Sequence, residues 1–140
     1  MAAMPFSQYL ADVQLNWLRG TSYASAPSTN LYISLHSADP GINGLNSDVT
    51  VTLAGSRGTL PIANLTAPAA SPSGGRQVSN SASVSLSNSA QGAATVTYYG
   101  IWDAASGGNF LTYGLLTQPV NVLVGDIIEF PVGQLVIRGI

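Results

Sequence analysis

The sequence contains no cysteine, no lysine and a single histidine, His36. The first absence excludes a disulfide framework, a thiolate metal site and a cysteine nucleophile together. It also frees the fold from any need for an oxidising compartment. The second leaves Arg19, Arg57, Arg76 and Arg138 as the side-chain cations, and the net charge is −2. Nucleic acid needs a clustered basic face, which so few scattered cations do not supply. Charged residues make up 7% of the chain, against roughly 25% in an average soluble domain. A free monomer normally covers itself with charge of both signs. Here Ser, Thr, Asn, Ala and Gly take that place, which suits dense packing against other protein because little charge must be desolvated. No apolar run approaches the ~20 residues that cross a bilayer. No basic residue precedes Phe6, so the N-terminus does not read as a secretory signal. The protein is expected to stay in the cell that made it or to leave by lysis inside a particle.

Catalytic chemistry finds little to work with. His36 could form a triad with a serine and Asp39 or Asp103. No serine sits in a Gly-x-Ser-x-Gly elbow, however, and His36 ends a strand beside a turn, where a structural hydrogen-bonding role is expected. Asp126 and Glu129 are close in sequence but read as a turn residue and a rim charge rather than a glycosidase pair. Asp39, Asp48 and Asp103 show no calcium-loop spacing. Gly55-Ser56-Arg57-Gly58 lacks the Gly-Lys-Ser/Thr ending of a phosphate loop. The expectation is a protein that is not an enzyme and uses no cofactor or metal.

A single domain spanning 1–140 suits the length. Residues 6–19 carry Phe6, Leu10, Val13 and Trp17 on one face of a 3.6-residue period, with Ser7 near the N-cap and Gly20 as the stop. This helix, within 1–20, is expected to dock on the sheet. Residues 21–30 read as a polar linker. Within 21–53, Leu31, Ile33 and Leu35 alternate with Tyr32, Ser34 and His36, and Val49, Val51 and Leu53 alternate with threonines. Ser37-Ala38-Asp39-Pro40-Gly41 between them is a turn. Residues 54–80 read as an irregular loop or arm, with at most a short strand near Leu60–Leu65. From 81 to 140 short strands recur: 82–86, 94–99, 110–116, 120–124, 127–130 and 134–137. Asp103–Gly108, Gln118-Pro119, Gly125-Asp126 and Pro131–Gly133 punctuate them. Gly125-Asp126 reads as a tight hairpin, and so does the closing pair of strands. Seven or eight such strands predict an all-β, antiparallel sandwich, jelly-roll-like, with one N-terminal helix.

Two strings carry a resemblance. Leu31–Gly41 (LYISLHSADPG) and Gly100–Leu111 (GIWDAASGGNFL), with Trp17–Thr21 and the Gly125-Asp126 to Ile137 segment, resemble small bacteriophage virion proteins labelled capsid cement (decoration) or tail-fibre proteins. Residues 48–76 depart from that pattern, and Gly74-Gly75-Arg76 is the nearest echo of its Gly-Gly-x-Tyr-x-Arg string. The resemblance implies a capsid cement protein on the outer surface of the head, bridging subunits of the major capsid protein and associating with itself, with a homodimer favoured over a trimer. The alternative is a tail-fibre or receptor-binding domain recognising host-surface glycans. Adhesion of this kind multiplies modest contacts over many symmetric copies. Loop position and expected exposure nominate Arg57, Leu60, Pro61, Pro68, Arg76, Tyr99 and Tyr113 as interface residues. The 54–80 segment and the N-terminus are expected to reach onto the capsid.

Overall fold

The computed structural model describes residues 6–21, 29–72 and 74–139. Most of the linker expected at 21–30 lies outside them. Helix α1 (Gln8–Leu18) begins where the Ser7 hydroxyl accepts a hydrogen bond from the Leu10 amide, satisfying one of the orphan donors of a helix start. It stops at Gly20, whose φ of +89° is a left-handed conformation that a side chain would resist. The expected apolar face docks only at its beginning. Phe6 bridges to Thr112, and the Ser7 amide donates to the Leu111 carbonyl. No helix residue is fully buried, and Trp17 keeps 56% of its surface exposed.

Strand β1 (Asn30–His36) is followed by a short helix, α2 (Thr50–Leu53), and by β2 (Gly58–Pro61). The strand expected at 49–53 is therefore corrected to a helical turn. The cause is local: the Asp48 carboxylate accepts from the Thr50 amide and initiates the turn. Thr50 and Leu53, three residues apart, are buried, while Val51 points out. The remaining strands are β3 (Ala69–Ala70), β4 (Arg76–Ser79), β5 (Val84–Ser87), β6 (Ala94–Trp102), β7 (Phe110–Val122), β8 (Ile127–Phe130) and β9 (Val136–Gly139).

These strands form an antiparallel sandwich. One sheet runs β2-β1-β6-β7, and smaller sheets run β3-β4-β9 and β5-β8. From β4 onward the pairing is nested: β6 with β7, β5 with β8, β4 with β9. Such a ribbon folded back on itself is the wiring of a jelly roll. It also corrects two expected hairpins. β8 does not pair with the strand before Gly125-Asp126, nor with β9 after Pro131–Gly133; each of those turns carries the chain to another partner. Gln118-Pro119 does not end a strand either, because β7 runs through it. A proline is tolerated there because β7 is an edge strand, with no neighbour on its outer side within the sheet.

The 54–80 segment, expected as an irregular loop or arm, has regular structure. It carries β2, a 3₁₀ turn at Ile62–Asn64, β3 and β4. Leu60 faces Leu31 in the β1–β2 ladder and is fully buried. The core lies between the large sheet, through Leu31, Ile33, Leu35, Leu60, Val96, Tyr99 and Ile101, and the β5–β8 pair, through Val84, Leu86, Ile128 and Phe130. On β5 the predicted alternation holds, with Val84 and Leu86 buried and Ser85 and Ser87 exposed.

Candidate interaction surface

The two strings that carried the resemblance are neighbours in space. β1 and β6 pair antiparallel, with Tyr32 opposite Trp102, Ser34 opposite Gly100 and His36 opposite Tyr98. Ser34 and His36 point away from the main core, yet both are fully buried. The 37–49 segment covers them. Its turn is closed by the Asp39 carboxylate, which accepts from the Gly41 amide. Gly44 lies so flat on the Phe110 ring that a Cβ would sit 2.4 Å from ring carbons.

A string of hydrogen bonds crosses this covered face. His36 Nδ1 lies 2.9 Å from the Asn46 carbonyl, which can only accept, so Nδ1 carries the proton. Nε2 is then the acceptor, and the Ser34 hydroxyl, 2.6 Å away, donates to it. Ser34 Oγ in turn accepts from the Trp102 indole N–H at 2.9 Å. Every member is satisfied, as a buried polar network requires. His36 is thus a fixed structural link with both ring nitrogens engaged.

Burial is the largest influence on His36 and lowers its pKa below the ordinary 6.5; hydrogen bonding to Asn46 and the charge of Asp48 oppose it more weakly. The unfolded chain therefore takes up a proton at higher pH than the folded one. The stability linked to His36 is complete above about pH 6.5 and is lost as pH falls below it. We expect wild type to lose more unfolding free energy than His36→Gln between pH 7.5 and 5. Parallel urea-midpoint profiles for the two would show that His36 is not held neutral.

Gly100 makes the string possible. A Cβ there would meet Ser34 Oγ at 2.5 Å and Phe110 Cε1 at 2.8 Å. Gly100→Ala should cost about 1–3 kcal/mol by overpacking, read as a lowered thermal midpoint.

An aromatic row extends from this point. The Arg57 guanidinium sits 3.7 Å above the Trp102 ring. Trp102 packs on Phe110 at 5.0 Å, Phe110 stacks on Tyr113 at 5.8 Å, and Tyr113 meets Tyr98 at 6.3 Å. Arg57 also donates to the carbonyls of Ala104 and Gly107, clamping the 103–108 loop. A cleft of about 260 Å³ opens beside the row, with Tyr9, Asn43, Trp102, Asn109 and Phe110 among its walls.

The seven nominated interface residues fall into three groups. Leu60 and Tyr99 are corrected to core residues, because neither has surface left to offer a partner. The Tyr99 hydroxyl crosses the sandwich to donate to the Val136 carbonyl at 2.6 Å, and burial pushes its pKa up to about 12. Arg57 and Tyr113 are half-buried in the aromatic row, where burial is also the main cause of a raised Tyr113 pKa. Arg76 and Pro68 are exposed and meet each other, with the guanidinium donating to the Pro68 carbonyl. Pro61 ends β2 opposite Asn30, half-buried.

Sequence reasoning missed the surface with the largest apolar display. Leu115, Val120, Leu123, Val124, Ile127 and Val132 are all more than 40% exposed. Leu115 lies in the first half of β7, opposite Tyr98; the others lie at the end of β7, in the following turn and around β8. A groove of about 450 Å³ takes Val120 and Ile127 from this set and is lined besides by Leu116, Gln118, Ile128 to Pro131 and Gln134. Val120, Val124 and Ile127 were legible as strand residues, although Val124 lies in a turn. Their outward direction was not, because it follows from which strand each one pairs with. Among the described residues no group of three His, Asp or Glu side chains could hold a metal, and no helix is long and apolar enough to cross a membrane.

A family model described as podophage GP4 fiber I protein gp80 matches residues 5–138. No curated protein matches the chain.

Proposed function

The chain belongs to the podophage fiber I protein family, phage structural proteins of the virion, and from that membership we propose that it is a non-enzymatic fibre subunit held in the particle by apolar contacts. The observation that carries this reading is the exposed apolar surface around β7 and β8 in a chain with so little charge. A surface of that kind on a monomer would favour association, and desolvating it costs little. His36 is no free general base, since it is buried with both ring nitrogens engaged. The family's description favours a fibre over the cement protein that the motif resemblance suggested. A cement protein would use the same adhesive surface against the major capsid protein. A receptor-binding fibre domain would instead use the aromatic cleft against a host-surface glycan.

Cryo-electron microscopy of the intact particle tests the proposal. Density for this chain in the fibres is the expected result. Density bridging subunits on the outer face of the head would replace the fibre reading with the cement reading.

A further inference from the structure

Besides Ile42 and Leu45 at the aromatic cleft, the apolar side chains that the described residues expose gather mainly in two places. One is the β7–β8 groove. The other is the end of α1, where Leu15, Trp17 and Leu18 are 59%, 56% and 72% exposed. The two places differ in charge. Glu129 is the one charged residue among the groove's lining residues, and Asp126 stands in the turn just before β8. No cation occurs between Arg76 and Arg138 in the sequence. The α1 end carries the exposed Arg19, whose guanidinium spends one donor on Asn16 Oδ1 at 3.1 Å. Asp12 is the acid on the same helix, seven residues earlier.

We infer that the end of α1 in one copy seats in the β7–β8 groove of the next, with Leu15 and Leu18 in the groove and Arg19 facing Glu129. The inference rests on the reading of the chain as an assembly subunit and names the surfaces that assemble. A two-fold contact through the groove would set one acidic surface against its own copy, and like charges brought together oppose association. The head-to-tail arrangement pairs the apolar groove that holds Glu129 with an apolar knob tipped by Arg19. The groove is open to receive it, because β7's edge is tied to the N-terminal segment only in its first half, at Leu111 and Thr112. Repeating a head-to-tail contact builds a closed ring or an open filament.

The absence of native cysteine provides a direct test. Leu18→Cys and Ile127→Cys proteins are oxidised separately and then as a mixture. Disulfide-linked dimers in the mixture, with little in either protein alone, are expected. Equal dimer in each protein alone would mean a two-fold contact and overturn the inference, as would no dimer anywhere. Sedimentation velocity supplies the second arm. Arg19→Glu and Glu129→Arg should each weaken wild-type self-association by about tenfold, an effect within reach of one interfacial charge pair. The double exchange should restore it to within about threefold. Unchanged single variants, no rescue, or a wild type that stays monomeric at about 100 μM would sink the contact. The parent reading fails separately, by the absence of this chain from the fibres of the particle.

Discussion

Replacing Asn80 by alanine should lower the unfolding free energy by about 3–5 kcal/mol, from the sum of lost buried hydrogen bonds and the cavity left behind. Asn80 has no exposed surface. Its amide donates to the carbonyls of Ala82 at 2.8 Å and Pro131 at 3.0 Å, with a longer contact to Phe130. Its side-chain oxygen accepts from the Leu135 amide at 3.0 Å. Its backbone accepts from Gly133 and donates to the Leu135 carbonyl. One residue thus pins the turn between β8 and β9 to the link between β4 and β5. Alanine would leave the Leu135 N–H and at least one carbonyl without a partner inside the fold. Asn80→Asp should be as harmful at neutral pH, because a carboxylate cannot donate to three carbonyls. Urea unfolding followed by tryptophan fluorescence would measure both. A loss under about 1 kcal/mol for Asn80→Ala would mean that water replaces the amide and that the corner does not depend on it.

Trp102→Ala is expected to cost a further 3–5 kcal/mol class of loss, roughly that of other buried Trp truncations. The indole is 4% exposed, lies under Arg57, packs on Phe110 and supplies the donor that completes the Ser34–His36 string. Trp102→Phe separates these roles. It keeps a ring in the row but removes the N–H, and should cost about 1–2 kcal/mol. Against a total stability of about 5–15 kcal/mol for a domain, the alanine variant would leave the chain close to unfolding at 37 °C. If phenylalanine proves as costly as alanine, the hydrogen-bond string outweighs the packing.

Much of the local structure was legible along the chain. The Ser7 cap and Gly20 stop of α1, the alternation on β1 and β5, and the Asp39-Pro40-Gly41 and Gly125-Asp126 turns follow from residue chemistry that acts within a few positions. Ser34 and His36 illustrate the limit. They read as the outward face of a strand, and they do face away from the main core. The 37–49 segment then folds over them and makes a second buried layer. Val49–Leu53 shows a different failure. Alternating valines and threonines suit a strand, but the Asp48 carboxylate, accepting from the Thr50 amide just ahead of the helix, starts a helical turn there. The candidate surfaces were least legible of all. Leu60 and Tyr99 were nominated for a surface and lie in the core, whereas Leu115, Ile127 and Val132 are exposed.

The sequence by itself determined the composition of the surface, the all-β class, the single N-terminal helix and the lack of thiol chemistry, because each depends on residue identity or on spacing over a few positions. Only the tertiary structure decided which strands pair. Nested pairing joins Arg76 to Gly139 and Val84 to Phe130, and no local propensity encodes a partner so far along the chain. With the pairing came the facing of every side chain on those strands, since a strand's two faces are assigned only when its neighbours are. The buried Trp102–Ser34–His36 string and the exposed apolar groove beside β8 are both products of that assignment.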